Sequence, residues 1–131
     1  ITSKDGTRYE NIPVFSFDLL QEACPGIIKF LKQKKYFIIK DLDSSMEKAG
    51  VKKDSVILVD TQAKPKESGD PVVAFFDNQL LFRAVYNIDG KIVFKTGDEE
   101  NYPDIVGDNT AIHLGSLAHV FDESEIKASI N

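Results

Sequence analysis

The sequence predicts a mostly β domain with a short helical segment near its N-terminus. Short apolar runs recur along residues 36–121, each closed by Gly, Pro, Asp or Asn, which is the rhythm of a chain of short strands. Helical spacing is confined to residues 17–34. No glycine-rich turn opens a helix, since Gly90, Gly97 and Gly107 sit among strand and loop residues, so neither a dinucleotide fold nor a phosphate-binding loop fits. At 131 residues the chain holds one domain.

Residues 1–11 are polar and aperiodic and read as a linker or arm; the domain spans residues 12–121, and residues 122–131 form a polar tail with room for one helical turn. Ile12-Pro13-Val14-Phe15 is extended, because a residue before proline is pushed out of the helical region. Residues 17–23 form a helical turn. Pro25 suits a first helical position and starts a helix over residues 26–34, with Ile27, Ile28, Phe30 and Leu31 on one face. Strands follow at residues 36–39, 55–60, 71–76, 79–86, 91–95 and 111–121. A tight acidic turn (41–45), a polar loop (61–70), the pairs Asp77-Asn78 and Asp89-Gly90, and an acidic loop (96–109) separate them.

Charge and composition exclude several classes. A net charge of −5 opposes a broad grip on DNA phosphates, so the isolated domain is expected to bind duplex DNA weakly or not at all. No apolar run approaches the ~20 residues of a membrane helix, so no membrane partner is expected. The single cysteine, Cys24, rules out an internal disulfide and a Cys-rich zinc site, and it fits a reducing, cytoplasmic compartment. The first residues lack a signal-peptide pattern, and a start at Ile1 suggests a natural protein that extends further N-terminally.

The chemistry-bearing residues read plainly on their own. His113 and His119, six apart, share one face of the last strand and read as ordinary strand histidines. Asp98-Glu99-Glu100 lacks the alternating pattern of a calcium loop and reads as a solvated turn. No metal and no cofactor is expected. Lys29, Lys32, Lys34 and Lys35 dress the exposed face and C-terminal end of the predicted helix. Ser45 follows a strand and an acidic turn; such a serine is a turn former unless a base lies within hydrogen-bond reach.

Residues 37–60, FIIKDLDSSMEKAGVKKDSVILVD, resemble the core signature of the LexA-like, peptidase S24 domains. A strand leads to Ser45-Met46, then Ala49-Gly50-Val51, then Val56-Ile57-Leu58-Val59-Asp60. Ser68-Gly69-Asp70-Pro71-Val72-Val73-Ala74 is similar to the family's N-G-D-x-V-V-A strand. Asn101-Tyr102-Pro103-Asp104-Ile105-Val106 is similar to its E-Y-x-P-I-V-V loop, and residues 112–120 to its closing strand. The resemblance covers about residues 12–121. It implies the coiled β fold shared with signal peptidases, usually in a homodimer. In active members the serine is a nucleophile, a lysine on a later strand is its general base, and RecA filaments trigger a cut at the chain's own Ala-Gly or Cys-Gly bond.

The departures from that pattern bear on function. A gap-free alignment from Gly69 puts Arg83 at the lysine position, and no lysine occurs between Lys66 and Lys91. Deprotonating a lysine from about 10.4 costs roughly 4.6 kcal/mol at pH 7, which burial can supply. An arginine starts far higher than a lysine, so the cost is far larger and it stays protonated. Arg83 is therefore expected to anchor a carboxylate or a carbonyl, with Asp43 a candidate partner. The nearest match to the scissile bond is Cys24-Pro25-Gly26, where Pro25 creates a tertiary amide without an N–H. Asp43 replaces the glycine two before the serine, and Asp54-Ser55 replaces the usual G-D pair.

These observations point to a dimerising C-terminal regulatory domain of a LexA-like or phage-repressor-type bacterial transcriptional regulator in the SOS class. Ser45 would be a vestigial nucleophile without self-cleavage. DNA would be read only through an N-terminal helix-turn-helix outside this sequence, and RecA or another inducer protein is a possible partner. The closing strand, residues 111–121, is expected at the dimer interface. Two alternatives stand beside this reading: an active Ser-Lys autopeptidase, and a UmuD-like polymerase accessory subunit, suggested by Pro13-Val14-Phe15-Ser16 and Cys24.

Overall fold

The computed structural model describes residue 6 and residues 11–125. Its strands are β1 (Val14–Ser16), β2 (Tyr36–Lys40), β3 (Val56–Asp60), β4 (Ser68–Phe76), β5 (Gln79–Ile88), β6 (Lys91–Lys95), β7 (Ile105–Val106) and β8 (Ile112–Phe121). They form one eight-stranded sheet in the order β1-β2-β3-β8-β4-β5-β6-β7, with two short helices, α1 (Phe17–Ala23) and α2 (Ile28–Lys32). The mostly β class expected from the sequence is what the chain adopts. Of the predicted linker and tail, residues 1–5, 7–10 and 126–131 lie outside the described residues, and residues 123–125 are helical.

The apolar runs explain the architecture. Phe37, Ile38 and Ile39 on β2, and Ile57, Leu58 and Val59 on β3, are all buried, so these strands are covered on both faces and show no alternation. On one face Phe37, Ile39, Ile57, Val59, Val73 and Phe82 pack beneath Leu20 of α1 and Leu31 of α2. On the other, Val72, Ala74, Leu81, Val85 and Phe94 form a second core over β4–β6, while Ile38, Leu58 and Phe121 form a third over β2, β3 and β8.

Strand β8 joins the two halves. Its residues 116–121 pair with β3 and residues 112–116 with β4, Ser116 facing both Asp60 and Val72. Gly115 sits at this crossing, where a Cβ would stand 2.5 Å from Val59 Cγ1 and 2.7 Å from the Asp60 carbonyl oxygen. The hairpins at Asp77-Asn78 and Asp89-Gly90 are two-residue turns with positive φ at both positions, which Asp, Asn and Gly tolerate best.

Three predicted boundaries are corrected. Strand β4 begins at Ser68 rather than 71, because Gly69 at φ 123° absorbs a bulge and lets pairing with β5 continue. The second helix starts at Ile28 rather than 26, and Pro25 lies in the turn before it, after a cis Cys24-Pro25 peptide. Within the predicted acidic loop, Ile105 and Val106 pair with β6 as the short edge strand β7.

Candidate functional site

The loop between β2 and β3 positions Ser45. Leu42, Met46 and Val51 are buried in the main core and pin the loop at three points. Backbone bonds fold it back on itself, from Val51 N–H to the Met46 carbonyl and from Asp54 N–H to the Leu42 carbonyl, both at 3.0 Å. A 3₁₀ turn, Glu47–Ala49, follows the serine and ends on Gly50 at φ 96°.

Ser45 is buried, 3% exposed. Its hydroxyl donates to Asp43 Oδ1 at 2.5 Å, its amide donates to the same oxygen at 3.1 Å, and the Phe82 carbonyl oxygen lies 3.3 Å from Oγ. The neighbouring Ser44 hydroxyl meets the Tyr102 hydroxyl at 2.6 Å.

Arg83 on β5 is buried opposite Val72. Its guanidinium donates to the Pro103 carbonyl oxygen at 2.8 Å and lies 6.0 Å from the Tyr102 ring centre. Burial pulls its pKa down, and the nearby Asp43, Asp104 and Tyr102 push it back up. The expected carbonyl anchor is therefore Pro103, while Asp43 acts on Arg83 through its charge. No hydrogen bond joins Ser45 to Arg83 among the described residues. Asp104 pairs with Lys95 at 2.7 Å through Oδ2, and its buried Oδ1 has no partner.

Two open cavities flank this cluster. One of about 510 Å³ is lined by Ser44, Glu47, Lys48, Asp98, Asn101 and Tyr102; one of about 360 Å³ has Gln79, Arg83 and Pro103 in its walls. Ser45 lines neither. Asp98 braces the 98–102 turn by accepting from Asn101, and its carboxylate meets Lys48 at 3.4 Å.

Cys24-Pro25-Gly26 forms a hydrogen-bonded turn between the helices, with Cys24 itself extended. Cys24 N–H bonds to the Leu20 carbonyl, Ile27 N–H to that of Ala23 and Ile28 N–H to that of Pro25. Cys24 packs partly buried against the main core, which pushes its thiol pKa up. The histidines sit on the sheet face away from the helices, as two bulges in the β8 pairings cancel in the alternation. His113 Nε2 lies 3.3 Å from the Ala63 carbonyl oxygen, and His119 Nε2 lies 3.0 Å from Glu125 Oε2. Tyr102, Pro103 and the Phe82 carbonyl are the site groups that local sequence reasoning missed. For Tyr102 and Pro103 the signal was the resemblance of residues 101–106 to a family loop; the Phe82 carbonyl had none.

The chain is 28% identical over 109 residues to the LexA repressor of Acetivibrio thermocellus, a match covering 83% of this chain and 50% of that protein. The chain thus spans about half the length of that relative. The family described as Peptidase S24-like matches residues 10–117, from the arm to the middle of β8 and across Ser45 and Arg83. With most of its length matched in this way, the chain belongs to the Peptidase S24-like family.

Proposed function

We propose that this chain is the dimerising regulatory domain of a LexA-like transcriptional regulator and that it does not cut itself. One observation carries the reading: at the position aligned with the family's base stands a guanidinium, donating to the Pro103 carbonyl, while the Ser45 hydroxyl donates its hydrogen bond to Asp43. A protonated arginine offers donors only and cannot accept the serine's proton. Two further features support it. Ser45 is buried away from both neighbouring cavities, and the Cys24-Pro25 segment would have to unwind before it could be presented for attack.

Operator reading belongs to a helix-turn-helix outside this sequence, consistent with the half-length match to a LexA repressor. An inducer, RecA or another protein, would act on the assembled regulator without cleavage. The match to a LexA repressor supports a cytoplasmic compartment. The dimer forms through β8, whose residues 117–120 pair with β3 and, among the described residues, have no strand on the side toward β4. Alkaline incubation followed by intact-mass spectrometry tests the idle serine, and sedimentation tests the dimer.

A working peptidase is the second reading, favoured by the 2.5 Å contact that would let Asp43 take the serine's proton. A carboxylate is a far weaker base than a neutral lysine amine, which counts against it. Self-cleavage lost in Asp43→Asn would select this reading.

A further inference from the structure

We infer that the cavity over the β4–β6 part of the sheet is a binding site for a small organic cation with an apolar body, of the arylalkylamine class. A cavity of about 250 Å³ opens there, walled by Val72 and Ala74 of β4, Val85 of β5, Phe94 of β6 and Ala111 of the following loop. Apolar walls with a few converging polar groups are the composition of small-molecule sites. A closed apolar cavity of about 150 Å³ takes up benzene, so this volume accommodates a ring with a short aminoalkyl arm.

The rim sets the charge of the ligand. Glu67, Asp108 and His113 complete the lining. Asp108 Oδ1 accepts from the Thr110 amide at 2.8 Å and the Thr110 hydroxyl at 2.5 Å, leaving Oδ2 without a partner. Those bonds hold its pKa down, so it is ionised at neutral pH. No hydrogen bond or ion pair engages the Glu67 carboxylate among the described residues, although Lys64 and Lys66 flank it in sequence. Burial pulls the His113 pKa down and Lys32 adds to this, so its ring is neutral. With Nε2–H directed at the Ala63 carbonyl, Nδ1 is left as an acceptor. Two unneutralised carboxylates and one acceptor over an apolar floor complement an ammonium group on an aromatic body. None of Asp43, Ser45 and Arg83 lines this cavity, so the inference does not rest on the fate of the serine.

The test titrates 2-phenylethylamine, 2-phenylethanol and phenylacetate into the 131-residue chain, followed by amide NMR shifts. The amine should give saturable shifts at residues 72–74, 92–94 and 108–113. It should bind about tenfold tighter than the alcohol, as a charge-assisted contact would give, and phenylacetate more weakly still. Glu67→Gln, a change at an exposed side chain, should reduce the preference for the amine, with Asp108 retaining the remainder, without altering Tm. Ala111→Leu should fill the cavity and abolish binding of all three. The proposal is overturned if no saturable shifts appear at millimolar amine, if the three probes bind alike, or if Glu67→Gln leaves the preference undiminished. It is also overturned if the same residues shift with protein concentration alone, which would seat a second copy of the chain there.

Discussion

Ser45 turns both of its donors onto one oxygen of Asp43, the hydroxyl at 2.5 Å and the amide at 3.1 Å. This two-residue turn fixes the direction of the hydroxyl. The side chain that holds it stands where the family pattern has a glycine, which could make no such bond. The substitution at residue 43 and the arginine at residue 83 are therefore coupled. Asp43 occupies the serine's proton and places negative charge near a buried guanidinium.

Asp43→Ala should lower stability by about 1–3 kcal/mol, since it removes two hydrogen bonds and leaves Arg83 with less compensation. Asp43→Asn, which retains an acceptor oxygen, should lose less. Urea denaturation measures both, and an alanine variant as stable as the parent would contradict the coupling.

His113 makes stability depend on pH. Its folded pKa lies below the ordinary histidine value near 6.5, so as pH falls the unfolded chain takes up the proton first. Stability is then full above about pH 6.5 and declines as pH drops through that value toward the folded pKa. Lys32 of α2 contributes to the shift, after burial and against the bond to Ala63. His113→Gln should flatten this part of the curve relative to the parent, leaving the acid loss from Asp98 and Asp108, both held low, at lower pH. Thermal melts between pH 5 and 8 compare the two proteins.

Gly115→Ala should be among the most damaging single-methyl changes in the chain. Its Cβ would meet the Asp60 carbonyl oxygen and carbon as well as Val59, and the backbone of a central strand cannot swing aside as a side chain can. A loss of about 2 kcal/mol or more is expected. Guanidinium unfolding would show it, and a neutral result would mean that β8 crosses β3 less closely than described.

The fold was legible where the chain is locally decisive. The runs at residues 36–39 and 55–60 read as strands, and Asp77-Asn78 and Asp89-Gly90 read as the turns between strands. Strand β7 was not legible, because two residues in an acidic loop become a strand only when β6 is beside them. Nor was the bulge at Gly69, which depends on Tyr86 packing over a position with φ 123°. At the site, Ser45, Asp43 and Arg83 stood out in the sequence. The choice of Pro103 over Asp43 as the guanidinium's hydrogen-bond partner is a contact across 20 residues, and no local pattern encodes it.

The dimer should respond to the exposed part of β8. Val120 is 36% exposed, and Val120→Lys would place a charge at the proposed interface. Sedimentation at high micromolar concentration should give a dimer for the parent and a shift toward monomer for the variant. A monomeric parent would count against the assembly.

The central claim is that Ser45 is chemically idle. Raising pH activates a lysine base by deprotonating it, whereas Arg83 stays protonated across that range. Intact-mass spectrometry after prolonged alkaline incubation should find the chain uncut. Arg83→Lys alone should also stay intact, while Arg83→Lys with Pro25 deleted is the variant in which cutting becomes feasible. Cleavage of the unmodified chain near Cys24, abolished by Ser45→Ala, would contradict the account.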